Sequence, residues 1–258
     1  SDLVVEARNK IEQDGGHKEY AKALGVFLGF AVNKLADTNS TCVTWNITRE
    51  GLRNTFSRQA IAMTWDFAEG NPIGNSSGCF LNALNWVEKS ILLLPASING
   101  EVKQHDAKND IGLRQVVIST DPPYYDNICY ADLSDYFYVW LRRTQKNVYP
   151  ELFGTIQVPK AEELIANPYS FKKGLSEAKQ FFERGMFEAF QRINLYTNIN
   201  YPMTVYYAFK QSESDRTGVA STGWETMLSA IVQAGFAITG TWPIRTERPS
   251  RTIATGAN

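Results

Sequence analysis

Histidine and cysteine are the scarce side chains, with two of one and three of the other in 258 residues. Cys42, Cys79 and Cys129 stand at wide, unrelated spacings, which fits a reducing compartment and excludes a disulfide framework or a zinc site. With only His17 and His105 to add, no metal centre is expected. An excess of one charge is also missing: 26 Lys and Arg against 27 Asp and Glu leave a net charge of −1. A protein that coats nucleic acid by bulk charge is therefore excluded, and any such contact must come from local basic clusters. No apolar run reaches membrane-spanning length, and the opening SDLVVEARNK lacks the features of a signal peptide, so the expected location is the cytoplasm. Internal repeats and low-complexity runs are absent as well.

What is present is an aromatic-rich chain of 6 Trp, 12 Tyr and 14 Phe, long enough to bury a real core. HKEYAKALGVFLGFAVNKLADTNS sets Tyr20, Leu24, Phe27, Ala31 and Leu35 on one face of an expected helix. Residues 38–80 show no stable period and read as a long irregular segment with one short helix at most; segments of this kind inside compact domains are usually functional or disordered. FLNALNWVEKSILLL returns to helical periodicity. Strands are expected at EVKQHDA, RQVVIST, PMTVYYAFK and FAITGTWPI. Helices are expected from Ser134, with Phe137, Trp140 and Leu141 inward and Arg142 and Arg143 at its end, and over SEAKQFFERGMFEAFQRINL. A last helix starts at the capping box of Thr222 and Glu225 and closes on Gly235. From residue 100 the order is strand, strand, helix, helix, strand, helix, strand. That alternation predicts an open, mostly parallel α/β sheet with flanking helices, and ligands of such sheets bind at the carboxyl ends of the strands. The expected division is a helical and irregular segment over 1–99 and an α/β catalytic half over 100–258.

One of those strand ends carries Asp121-Pro122-Pro123-Tyr124. Neither proline can give an N–H to a sheet, and both fix φ near −65°. A rigid turn with a carboxylate and an aromatic ring suits an exocyclic amine on a nucleobase, whose lone pair is delocalised into the ring. Asp121 offers one acceptor to such an amine and the Pro122 carbonyl the other, which favours a pyramidal, nucleophilic nitrogen. Tyr124 can stack on a base flipped out of the helix. The matching methyl donor is S-adenosylmethionine. A motif of this kind arises by chance on the order of once in a hundred chains of this size. The alternative is a diproline loop that only terminates an edge strand.

The segments STDPPYYDNICYADLSDYFYVWLRR, VPKAEELIANPYS, YYAFKQSE and STGWETMLSAIVQAGFAITGTWPIRTE resemble the large adenine-specific DNA methylases of bacteria and archaea, a family found beside restriction and phage-defence genes. The likeness runs from about TCVTWNITREGLRNTFSRQA onward. It implies a Rossmann-like methyltransferase fold, S-adenosylmethionine as cofactor, DNA as partner together with defence-system proteins, and adenine N6 as target. It assigns Asp121, Pro122, Pro123 and Tyr124 to the target amine, and it suggests Asp106 at the cofactor adenine; by spacing alone Asp106 reads equally as a turn residue at a strand end. The family's glycine-rich cofactor loop has no counterpart here except NPIGNSSG, which follows no strand. The expectation is therefore an incomplete methyltransferase fold whose N-terminal cofactor-binding portion lies elsewhere, in the same or a separate chain, with the present chain inactive alone.

Arg49, Arg53 and Arg58, interleaved with Trp45 and Phe56, and Arg245, Arg248 and Arg251 after the last strand are either phosphate contacts or solvated arginines pairing with Glu50 and Glu247. Tyr125, Asp126, Asn127 and Tyr130 either wall a base pocket or pack under the loop. Two rival functions remain beside the adenine reading: an inactive nucleic-acid-binding module of the same fold, and an RNA or cytosine-N4 amino-methyltransferase.

Overall fold

The structure, a computed structural model, describes residues 1–57, 60–95, 97, 99–125, 128–207 and 222–244. The chain forms two compact units, and neither is a continuous stretch: one comprises Ser1–Val102 and Tyr130–Lys160, the other Lys103–Cys129 and Ala161–Asn258. The first boundary lies close to the expected one, but the segment expected to open the second half's helices belongs to the first unit.

The first unit is mainly helical, with α1 (Asp2–Gln13), α2 (Lys18–Thr38), α3 (Phe80–Leu93), α4 (Tyr130–Gln145) and the short α5 (Pro150–Phe153). His17 caps α2, its Nδ1 accepting from the Glu19 N–H at 3.2 Å. The buried residues of α2 are Ala21, Gly25, Gly29 and Ala31; of the expected face only Ala31 is among them, and Tyr20 is 62% exposed. The reason is close approach: α1, α3 and α4 all pack on α2, and small residues let their side chains reach its backbone. A methyl group on Gly29 would lie 2.2 Å from Gln145 Nε2 and 3.0 Å from Thr144 Oγ1. The segment expected to be irregular holds a small antiparallel hairpin rather than a helix, with β1 (Trp45–Asn46) pairing with β2 (Gly51–Leu52). Asn46 Oδ1 accepts from the N–H groups of Thr48 and Arg49, and Glu50 takes φ 48° to close the turn. Helix α4 begins at Tyr130, with Asp132 in its first turn, so Ser134 sits inside the helix and does not cap it; Arg142 and Arg143 occupy the last turn as expected.

The second unit is built on a parallel pair, β3 (Ser119–Thr120) beside β4 (Thr204–Val205), preceded by an isolated bridge between Val116 and Thr197. Helix α6 (Leu175–Tyr196) lies between the two strands in sequence, as a parallel connection requires, and packs against α7 (Thr222–Gln233). Phe182, Met186, Phe190, Met227 and Ala230 fill the core between them. Gly235 ends α7 at φ 94°. Thr222 opens that helix, but its side chain is not among those described.

Strand content is smaller than expected. RQVVIST contributes two strand residues and the bridged Val116, the described part of PMTVYYAFK contributes two, and neither EVKQHDA nor FAITGTWPI forms a strand among its described residues. EVKQHDA offers two apolar residues, Val102 and Ala107, and both are exposed, so there is no face to bury. Asp106 instead turns the chain, its Oδ1 accepting from the Lys108 N–H at 2.9 Å. In FAITGTWPI the Trp242 ring folds back over Gly240.

Candidate active site at the Asp-Pro-Pro-Tyr loop

Strand β3 delivers the motif. The Tyr206 N–H donates to the Thr120 carbonyl at 2.8 Å, the last bond of the parallel pair among the described residues, and Asp121 directly follows β3. The loop then alternates in depth: Asp121 is exposed, Pro122 is buried, and Pro123 and Tyr124 are half-buried.

Tyr125 anchors the loop. Its carbonyl accepts from the Ala166 N–H at 2.7 Å, its N–H donates to the Tyr207 hydroxyl at 3.3 Å, and its ring meets Phe182 edge-on at 5.1 Å. Of the two roles open to Tyr125, packing under the loop is the one observed. Tyr124 stands edge-on to Tyr207, with ring centroids 5.5 Å apart and planes at 89°. The Tyr207 hydroxyl donates onward to the Gly223 carbonyl at 3.4 Å, and its ring lies nearly parallel to Trp224 at 6.3 Å. Gly223 is needed at that place, because a Cβ there would fall 2.9 Å from the Tyr125 Cβ. Tyr207, Gly223 and Trp224 were not among the expected site residues; the only local signal was that they follow a strand and open a helix.

Asp106 lies at the other end of the pair. The Val116 N–H donates to the Tyr196 carbonyl at 2.9 Å, the Tyr196 hydroxyl to the Asn109 carbonyl at 2.7 Å, and Arg192 Nε to the Lys108 carbonyl at 3.3 Å. The turn at Asp106 therefore packs on the last turn of α6, beside the amino end of β3. There it lines an open cleft of about 550 Å³ with Lys108, Asn109, Glu188, Gln191, Arg192 and Leu195. Five residue steps of extended chain, roughly 16 Å, lead from Val116 to Asp121. The structure does not bring Asp106 to the motif.

Cys129 accepts from Asn167 Nδ2 at 3.5 Å. His105 is exposed. In the first unit Arg49 and Arg53 are exposed at the hairpin and form no ion pair among the described residues, Glu50 included. Phe56, by contrast, packs edge-on against Tyr136 and Phe137. Asp126, Asn127, Arg58, Arg245, Arg248 and Arg251 lie outside the described residues.

NPIGNSSG belongs to the first unit, where Gly78, at φ 83°, packs on Leu52 and its carbonyl accepts from Asn39 Nδ2 at 2.8 Å. Those glycines shape a turn against the hairpin. Among the described residues no helix is long and apolar enough to cross a membrane, and no three His, Cys, Asp or Glu side chains group as metal ligands. Comparison with models of protein families, with curated proteins and with solved structures finds no match to this chain.

Proposed function

We propose that the chain forms the target-base half of an S-adenosylmethionine-dependent DNA adenine N6-methyltransferase. The observation that carries this reading is the exposed Asp121 carboxylate at the carboxyl end of a parallel β pair, followed by a buried Pro122 and a Tyr124 held by neighbouring rings. A parallel pair with a helical crossover is compatible with the α/β sheet that this reading calls for. In the reaction, Asp121 and the Pro122 carbonyl accept from the two N–H groups of the amine, which draws its lone pair out of conjugation. Tyr124 stacks on the extruded base. The diproline holds both acceptors before the base arrives, so no reorganisation is needed at the moment of attack. The exposed hairpin, with Trp45, Ile47, Arg49 and Arg53, serves as a DNA contact.

The cofactor half does not fit the described residues. NPIGNSSG packs within the first unit, and Asp106 is at the wrong end of β3 to meet a ligand bound beside Asp121. S-adenosylmethionine would supply the methyl group, held by a further portion of the protein or a separate chain.

The test is binding to a short deoxyadenosine homopolymer against the same polymer built from purine, which lacks the amine. Hydrogen bonds to a charged group contribute about 1.5–3 kcal/mol, so a preference of about tenfold or more for adenine is expected. Asp121→Ala should abolish the preference, while Tyr124→Ala should weaken binding to both polymers by about 1–3 kcal/mol. Equal binding of the two polymers by the unaltered chain would overturn the reading.

A further inference from the structure

Resting on that amine-binding reading, we infer that Tyr207 is a positioning residue for the acceptor pair, acting through the motif loop and not on the base. Two of the four residues from Asp121 to Tyr124 are prolines without an N–H, so the loop has few donors by which it can be tied down. The Tyr125 N–H is one of them, and it goes to the Tyr207 hydroxyl. That hydroxyl also donates to the Gly223 carbonyl. One oxygen thus joins the motif loop to the first turn of α7, across segments 82 and 16 residues away in sequence. The Tyr207 ring meanwhile abuts Tyr124 edge-on. Tyr207 follows β4 by two residues, next to the Tyr206 N–H that bonds Thr120, so its own backbone is set by the same strand pair that delivers Asp121.

The chemistry makes that position consequential. Acceptors for both amine N–H groups must sit within a few tenths of an ångström of their productive places, and a misplacement of about 1 Å is worth about a hundredfold in rate. Stacking tolerates such a shift far better than a pair of hydrogen bonds does. Loss of the Tyr207 hydroxyl should therefore remove recognition of the amine and spare affinity for the ring system.

Tyr207→Phe keeps the ring and deletes only the bridging oxygen. The experiment is the same pair of polymers, deoxyadenosine and purine, titrated against the unaltered chain, Tyr207→Phe and Tyr207→Ala. In Tyr207→Phe the adenine preference should drop by about three- to tenfold, the weight of one neutral hydrogen bond, with purine affinity within about twofold of the unaltered chain. Tyr207→Ala should lose affinity for both. Retention of the full adenine preference in Tyr207→Phe overturns the inference, and so does an equal loss on both polymers, which would reduce Tyr207 to packing. Absence of any preference in the unaltered chain removes the amine-binding reading itself, and this inference with it.

Discussion

Gln145, at the end of α4, donates through Nε2 to the backbone carbonyl of Gly25 in the middle of α2, at 3.0 Å. The residue is 2% exposed, and its Oε1 has no hydrogen-bond partner among the described residues. A buried amide that reaches a helix backbone can do so only where the helix presents no side chain, and the Gly25–Gly29 stripe provides that opening.

Gly29→Ala should therefore destabilise the protein even though alanine favours helix. The added methyl would overlap Gln145 Nε2, which is pinned by its bond to Gly25 and cannot swing into solvent. Overpacking of this kind costs about 1–3 kcal/mol, against less than about 1 kcal/mol gained from helix propensity. Urea unfolding measures the difference, and an unchanged midpoint would mean that α4 moves away freely.

If the hairpin grips phosphates, replacing Arg49 and Arg53 together by alanine should flatten the salt dependence of duplex DNA binding. The slope changes by ~0.9 for each phosphate that is no longer neutralised. Neither residue is tied to a carboxylate among the described residues, so no ion pair is sacrificed and stability should hold. A slope that does not move returns both residues to the solvated surface.

Binding of S-adenosylmethionine to the 258-residue chain should be weak, with a dissociation constant of about a millimolar or worse, equivalent to roughly −4 kcal/mol. Backbone contacts from a glycine loop and a carboxylate on the ribose supply most of the anchorage for such a ligand; among the described residues no glycine loop follows β3, and the Asp121 carboxylate there is assigned to the amine. Calorimetry decides. Micromolar binding would direct attention back to NPIGNSSG.

Asp110 has its pKa lowered to about 2, first by the hydrogen bonds from Arg114 and then by the Gly112 N–H at 2.8 Å. Arg114 meets both carboxylate oxygens, at 3.1 and 2.9 Å, and its guanidinium also lies over the Tyr196 ring. Because the folded pKa is depressed, the pair's contribution is fully present above the ordinary 3.8 and is lost as pH falls from there to about 2. Titration of the Asp110 carboxyl carbon by NMR should show that low midpoint, and Arg114→Gln should return it toward 3.8. A midpoint unaffected by Arg114→Gln would assign the shift to the turn alone.

The helices were legible because their signal is local. Apolar spacing placed α3 and α6, and Gly235 marked the end of α7. The motif was legible for the same reason: Asp121 to Tyr124 are consecutive, and two prolines after a β-branched run constrain the backbone whatever surrounds them. Strand extent was not, since pairing is decided by a partner 80 or more residues away, as Ser119 and Thr204 illustrate. The buried side of α2 was legible only at Ala31, because periodicity marks large apolar residues while close helix contact selects glycine. Tyr207 escaped for a third reason. Its role depends on where a hydroxyl ends, and a tyrosine in a strand pattern reads as one more aromatic.

The discontinuity of the two units has a practical side for anyone dividing the gene. The chain leaves the second unit after Cys129 and returns to it at Ala161, and the two crossing points are tied together by the bond from the Ala166 N–H to the Tyr125 carbonyl and by Asn167 on Cys129. Residues 130–160 thus form an insertion whose flanking segments, around Tyr125–Cys129 and Ala166–Asn167, meet within the second unit. A cut near residue 100 would strip α2 of the helix that carries Gln145 and Tyr136, leaving an N-terminal fragment prone to aggregate. A division that follows the units would keep 130–160 with 1–102 and leave 103–129 with 161–258, the part that carries Asp121 to Tyr124.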